Sequence, residues 1–213
     1  MDVQPVLRYF LLATVTLVTM VNPLGVVPVF VSLTSGLPKE DARRVARRAV
    51  ATALIVLVVF ALAGQLVFRF FGVSVDSLRV VGGIIFFVMG YEMLQARLSR
   101  TRHDEAPPAD YAEDIALTPI GIPMIAGPGA ITSVVLLWSD ASDAPRRVAV
   151  LLAAALVLAG TLAALLGAER VQARLGPGLN KVQLRIMGLI TMMIAVEFFF
   201  AGLKPLVRQL LAP

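Results

Sequence analysis

The sequence predicts an all-α membrane protein of six transmembrane helices, arranged as two inverted three-helix repeats. Three observations predict it. Of the 213 residues, 58% are hydrophobic and only 15% charged, with a mean hydropathy of +0.85, whereas a soluble domain is near half apolar and a quarter charged. The excess falls in blocks of about twenty residues, the length that crosses a hydrocarbon core of roughly 30 Å. The two halves of the chain also echo each other at a spacing of about 105 residues.

The first span runs near Val6–Val31 and is interrupted by "VNPLGVVP". Pro23 has no N–H for the carbonyl of Thr19, and Pro28 has none for Leu24. Asn22, placed before a proline, is pushed away from helical geometry, and Gly25 tolerates the backbone that follows. The second span is placed at Ala49–Phe71 and the third at Leu78–Gln95. The fourth, Ile115–Trp138, is broken more severely by "TPIGIPMIAGPGA", where Pro128 leaves the Met124 carbonyl free. The fifth and sixth follow at Val148–Leu166 and Val182–Leu203. Gly64, Gly82, Gly83, Gly90, Gly160 and Gly167 are expected to serve close helix packing. The resulting divisions are a first repeat (1–96), a connector (97–114) and a second repeat (115–213), all within one membrane domain.

Basic residues set the topology. Lys39, Arg43, Arg44, Arg47 and Arg48 follow the first span; Arg97, Arg100 and Arg102 follow the third; Arg170, Arg174, Lys181 and Arg185 follow the fifth. These twelve of nineteen share one side, which the positive-inside rule makes cytoplasmic, so both termini face outward from a bacterial inner membrane. They are read as topology-setting residues near anionic lipid rather than a nucleic-acid site, since no aromatic interleaving or reading helix accompanies them. The N-terminal "MDVQPVLRYF" carries an acidic residue and a proline and precedes too long an apolar run for a cleaved signal. With no cysteine in the chain, disulfides and thiolate metal sites are excluded, and His103 sits in a solvated charged loop rather than a metal site.

The repeat is carried by several matches. "VNPLGVVPVF" meets "AGPGAITSVV" with Pro23 opposite Pro128, and "RRVA" at Arg43 meets "RRVA" at Arg146. "LRVVGGIIFFVMGYE" from Leu78 meets "LRIMGLITMMIAVE" from Leu184, bringing Arg79, Gly82 and Glu92 opposite Arg185, Gly188 and Glu197. Three spans per half is an odd number, so the halves insert with opposite orientation. That architecture belongs above all to secondary transporters, which bind substrate at broken helices near the midplane.

Interrupted backbone persists at membrane depth only where it is buried in protein or lines a wet cavity. A restarting helix presents N–H groups to a carboxylate, and a stopped one presents carbonyls to an ammonium or small cation. The candidate substrate-binding residues are therefore Thr19, Asn22, Pro23, Gly25 and Pro28 in the first span. In the fourth they are Met124, Gly127, Pro128, Gly129, Ala130 and Ile131. Thr14, Thr16, Thr132 and Ser133 are further polar residues of these spans, although helical threonines in membranes commonly bond back to their own backbone. Glu92 and Glu197 are the coupling or gating candidates. Glu197 is expected either to pair across helices or to carry protons.

"NPLGVVPVF", "GPGAI", six spans and a length of about 210 residues resemble the MarC family of bacterial inner-membrane proteins, over essentially the whole chain. The resemblance implies a grouping with transporters of small neutral amino acids such as glycine and alanine, with apparent ion coupling. It implies more distant kinship with amino-acid exporters, leaving direction open, and it carries over no catalytic residue.

The function expected is secondary transport of a small neutral amino acid, as importer or exporter, coupled to a proton or sodium ion and using no cofactor. The alternatives are an exporter or channel for another small metabolite and a non-transporting adaptor subunit. An enzyme is not expected: HExxH, GxSxG, cysteine and membrane histidine are all missing. The expected partners are the substrate, the bilayer and no nucleic acid, with homo-oligomerisation left open.

Overall fold

A computed structural model describes residues 3–95 and 110–211, and the side chains of residues 3, 169–181 and 209 lie outside the description. Most of the expected connector, including His103 and Arg97–Arg102, falls outside it, as do the side chains of Arg170, Arg174 and Lys181. All regular structure among the described residues is helical: α1 (Val3–Val21), α2 (Pro23–Thr34), α3 (Lys39–Phe70), α4 (Val75–Leu94), α5 (Tyr111–Ile115), a wide π-helical segment (Ala116–Ile125), α6 (Pro128–Asp140) and α7 (Ala144–Leu211). Five stretches are long and apolar enough to cross a membrane without a sharp bend: Gln4–Thr34, Lys39–Phe70, Val75–Leu94, Ala144–Ala168 and Val182–Arg208. A sixth is the pair Tyr111–Ile125 and Pro128–Asp140, bent by 56°.

Two boundaries differ from expectation. Residues 39–48, read as a basic loop, are the first turns of α3, with Glu40 and Asp41 complementing the helix N-terminus and Asp41 paired with Arg44 at 3.4 Å. Their charges lie beyond the apolar stretch but do not oppose helix formation. Helical backbone also extends into the stretch expected as a loop between the fifth and sixth spans: α7 runs from Ala144 to Leu211 and contains both spans, Ala144–Ala168 and Val182–Arg208, with the chain turning back between them.

Small residues bring the helices together. Ala46, Ala49, Ala53, Leu57 and Ala61 recur at helical spacing and are buried on one face of α3, whereas Ile55, Leu62 and Leu66 are exposed on the outside. A Cβ on Gly83 would lie 2.8 Å from the Ala195 carbonyl oxygen, and one on Gly188 would lie 2.6 Å from that of Gly90. This close seam joins α4 to the second half of α7. Gly64 fits under Val135 in the same way, but Gly160 and Gly167 face open space, so the packing role expected for those two is not what they do.

Side-chain links define the two faces of the bundle. At the face where α1 begins, Tyr9 donates to the Leu137 carbonyl, Gln65 bonds Ser139, and Arg146 closes a recess with Gln4 and Arg8. At the opposite face Arg48 pairs with Glu113 at 2.7 Å and Tyr111 donates to the Leu33 carbonyl. Gly202 packs against Asp76 and Arg79 at the start of α4, close to the first face. A straight helix from Arg146 to Gly202 would be about 84 Å long, so the path of α7 folds back between them. The start of α1 and the end of α7 therefore share a face.

Candidate functional site

The interruption in the first span is a single residue. Asn22 adopts the left-handed conformation (φ 46°, ψ 65°), which asparagine tolerates better than most residues. It keeps the α1 bond from its N–H to Val18 at 3.0 Å. Its carbonyl then accepts from Gly25 at 2.9 Å and from Val26 at 3.3 Å, while its side-chain Oδ1 also accepts from the Gly25 N–H at 3.3 Å. Because the N–H must meet the amide oxygen, Nδ2 is the free end of the side chain. It lies 2.6 Å from where a Cβ on Gly25 would be, so only glycine leaves it room. Pro23 occupies the first helical position of α2, where a missing N–H does no harm.

The interruption in the fourth span is longer and uses backbone. Thr118 and Ile122, each before a proline, take extended conformations (φ −137° and −133°) inside the wide segment. The Ala126 N–H closes the last turn on the Gly121 carbonyl at 2.9 Å. Gly127, extended, then starts α6 with Pro128 at its first position and no side-chain cap. The following N–H groups of Gly129 and Ala130 form the positive end of that helix.

Between the breaks lies a cavity of about 100 Å³, room for several waters. Thr19, Asn22 and Gly25 line it from the first break and Met124 from the second. The remaining lining comes from Met20, Val21 and Val26, from Phe86, Met89 and Met93 of α4, and from Thr191, Ile194 and Phe198 of α7. No lining side chain is charged. The free polar group is the Asn22 amide, because the hydroxyls of Thr19 and Thr191 bond back to Val15 and Met187. Thr14 does likewise to Phe10, whereas the buried Thr132 hydroxyl has no partner and does not line the cavity.

The other predicted residues fall outside this lining. Pro28 is buried within α2 and Pro23 is half-buried at its start. Gly127, Pro128, Gly129, Ala130 and Ile131 are all buried one layer behind the cavity. Phe86 covers Gly127, Met20 and Phe198 cover Gly129, and Gly82 packs on Pro128. Glu92 and Glu197 also lie outside the lining. Each immediately precedes a lining residue, Met93 or Phe198, and successive helical residues point about 100° apart; both carboxylates are accordingly exposed on the outside of the bundle. Among the described residues Glu197 joins no ion pair, so the cross-helix partner expected for it is not there.

These features define a polytopic helical membrane protein with two interrupted spans beside a small cavity lined by uncharged side chains. The chain belongs to the MarC family of integral membrane proteins, whose description it matches over residues 7–207. Curated relatives are UPF0056 membrane proteins. One from Methanocaldococcus jannaschii is 37% identical over 199 residues, covering 93% of this chain and 97% of the relative. One from Pyrococcus horikoshii is 38% identical over 198 residues, 93% and 96% of the two chains. YvbG of Bacillus subtilis is 35% identical over 193 residues, 89% and 92%. No solved structure matches.

Proposed function

We propose that the chain is a secondary carrier for small neutral amino acids such as glycine or alanine, working in the bacterial inner membrane through two inverted repeats. The observation that carries this reading is the composition of the cavity wall. Thr19 and Met124, Phe86 and Thr191, Met89 and Ile194, and Met93 and Phe198 all line it, and the members of each pair stand 105 positions apart. A cavity lined by equivalent positions of two repeats lies on the axis relating them, where carriers of this architecture bind substrate. The Gly83–Ala195 and Gly188–Gly90 contacts support the same relation, because moving either pair by 105 positions produces the other.

The ligand class follows from the lining. With no charged side chain present, a substrate of net charge would lose its hydration without compensation. A zwitterion has both ends answered: Asn22 Nδ2 donates to a carboxylate, and the Thr19 carbonyl, deprived of a helical donor by Pro23, accepts from an ammonium. The apolar remainder, rich in methionine and phenylalanine, suits a hydrogen or methyl side chain. The coupling ion is a proton or sodium, and the face carrying Lys39–Arg48 is cytoplasmic.

Purified protein is expected to gain thermal stability with glycine or alanine, and liposomes containing it to accumulate labelled glycine or alanine by counterflow. Absence of both effects across the small neutral amino acids would remove this substrate class. Uptake that dissipates without counterflow would replace the carrier with a channel.

A further inference from the structure

Two tyrosines bridge the interrupted spans reciprocally. Tyr9, in the half of the first span before its break, donates at 2.5 Å to the Leu137 carbonyl near the end of α6, the half of the fourth span after its break. Tyr111, at the start of the fourth span, donates at 3.2 Å to the Leu33 carbonyl near the end of α2. The tyrosines stand 102 positions apart and the leucines 104, close to the register of the cavity pairs. Both acceptors lie in the last four residues of their helices, where carbonyls have no partner in the helix itself. One bond closes the face where α1 begins and the other closes the face carrying Arg48 and Glu113. Each is part-buried, so releasing it exposes an orphan carbonyl at the edge of the bundle.

We propose that Tyr9 and Tyr111 are equivalent latches, one per face, that open in alternation to connect the cavity with one side of the membrane and then the other. The inference rests on the carrier reading. The post-break halves α2 and α6 are the elements held, since each is anchored at its N-terminal end by a break and at its C-terminal end by a tyrosine of the opposite span. Releasing Tyr9 frees the end of α6 to swing from the N-terminal face, and releasing Tyr111 frees the end of α2 from the basic face.

The chain has no cysteine, so a single Met89→Cys in the cavity wall is a clean reporter. Its labelling by a membrane-impermeant thiol reagent is compared in vesicles of both orientations. Tyr9→Phe is expected to raise labelling from the N-terminal face by roughly two- to ten-fold, the population change that one lost hydrogen bond produces, and to leave or lower labelling from the basic face. Tyr111→Phe should do the reverse. No change in either variant, or increases from the same face in both, would overturn the latches. If a Phe variant does not fold, Tyr9→Met and Tyr111→Met, which delete the same hydroxyl and keep a flexible apolar side chain, serve instead in the same assay. The same opposite-face increases are expected, and unchanged labelling would count against the latch.

The assay needs no substrate, so failure of glycine and alanine to bind leaves it intact. A wild-type reporter open to both faces at once would remove the carrier reading and the latches with it. Alternating access that ignores both tyrosines would remove the latches alone.

Discussion

The Asn22 break and the Gly127 break occupy matching places in the two halves of the chain and solve the same problem by different chemistry. At Asn22 one left-handed residue interrupts the helix, and its own carbonyl and Oδ1 take up the N–H groups that follow. The interruption is short enough that Gln4–Thr34 still counts as one span. At Gly127 no side chain caps the restart, the preceding segment contains two extended pre-proline residues, and the axis turns by 56°. The first break opens onto the cavity at Asn22, while the second reaches it through Met124 and has Gly127 and Gly129 covered by Phe86, Met20 and Phe198. A side-chain solution leaves a polar group free to meet a ligand, whereas an uncapped backbone restart at membrane depth must be covered by protein.

That contrast can be broken hardest at Gly127. In Gly127→Val the new Cβ would meet the Pro123 carbonyl oxygen at 2.5 Å and Phe86 at 2.6 Å, and the backbone atom cannot yield. The expected result is a loss of about 3 kcal/mol or more, seen as aggregation on detergent extraction or a large fall in unfolding temperature. A variant with wild-type stability would show that Gly127 is not tightly covered.

Gly25→Ala is next. Its Cβ would fall 2.6 Å from Asn22 Nδ2, a movable side-chain atom, so the amide turns away rather than the helix failing. The expected cost is about 1–2 kcal/mol, with loss of the thermal shift from glycine or alanine. Asn22→Gly sharpens the comparison by keeping the positive φ while deleting the amide. A cap replaced by glycine costs only a few tenths of a kcal/mol, so stability should be near wild type while the ligand response disappears. An unchanged ligand response would take Asn22 out of the site. Glu197→Gln should have the smallest effect, with counterflow within about two-fold of wild type, because the carboxylate is exposed outside the cavity and joins no ion pair among the described residues. A large loss of transport there would return Glu197 to the mechanism.

The sequence was most legible where it departs from apolar monotony. Asn22, Gly25 and the paired prolines stand out because each forbids or frees a particular backbone bond, and they lead directly to Thr19 and Met124 at the cavity. Phe86, Met89, Met93, Thr191, Ile194 and Phe198 were missed because α4 and the second half of α7 are apolar on every side, and nothing in such a helix marks its inward face. The 105-residue register could have found them in part, by asking which pairs would meet at the axis. Glu92 and Glu197 misled for the opposite reason: a charge in an apolar run is conspicuous, but conspicuousness carries no direction.

By itself the sequence determined that the chain spans a membrane, how often and where its helices must break, because hydropathy, proline and glycine act through local chemistry. Only the tertiary structure decided that Asn22 faces the cavity and Gly127 is buried, that residues 39–48 extend a helix, and that the two glutamates point outward. Those outcomes depend on helix rotation and on the neighbour a given face meets, and in lipid an apolar side chain is equally at home against hydrocarbon or protein.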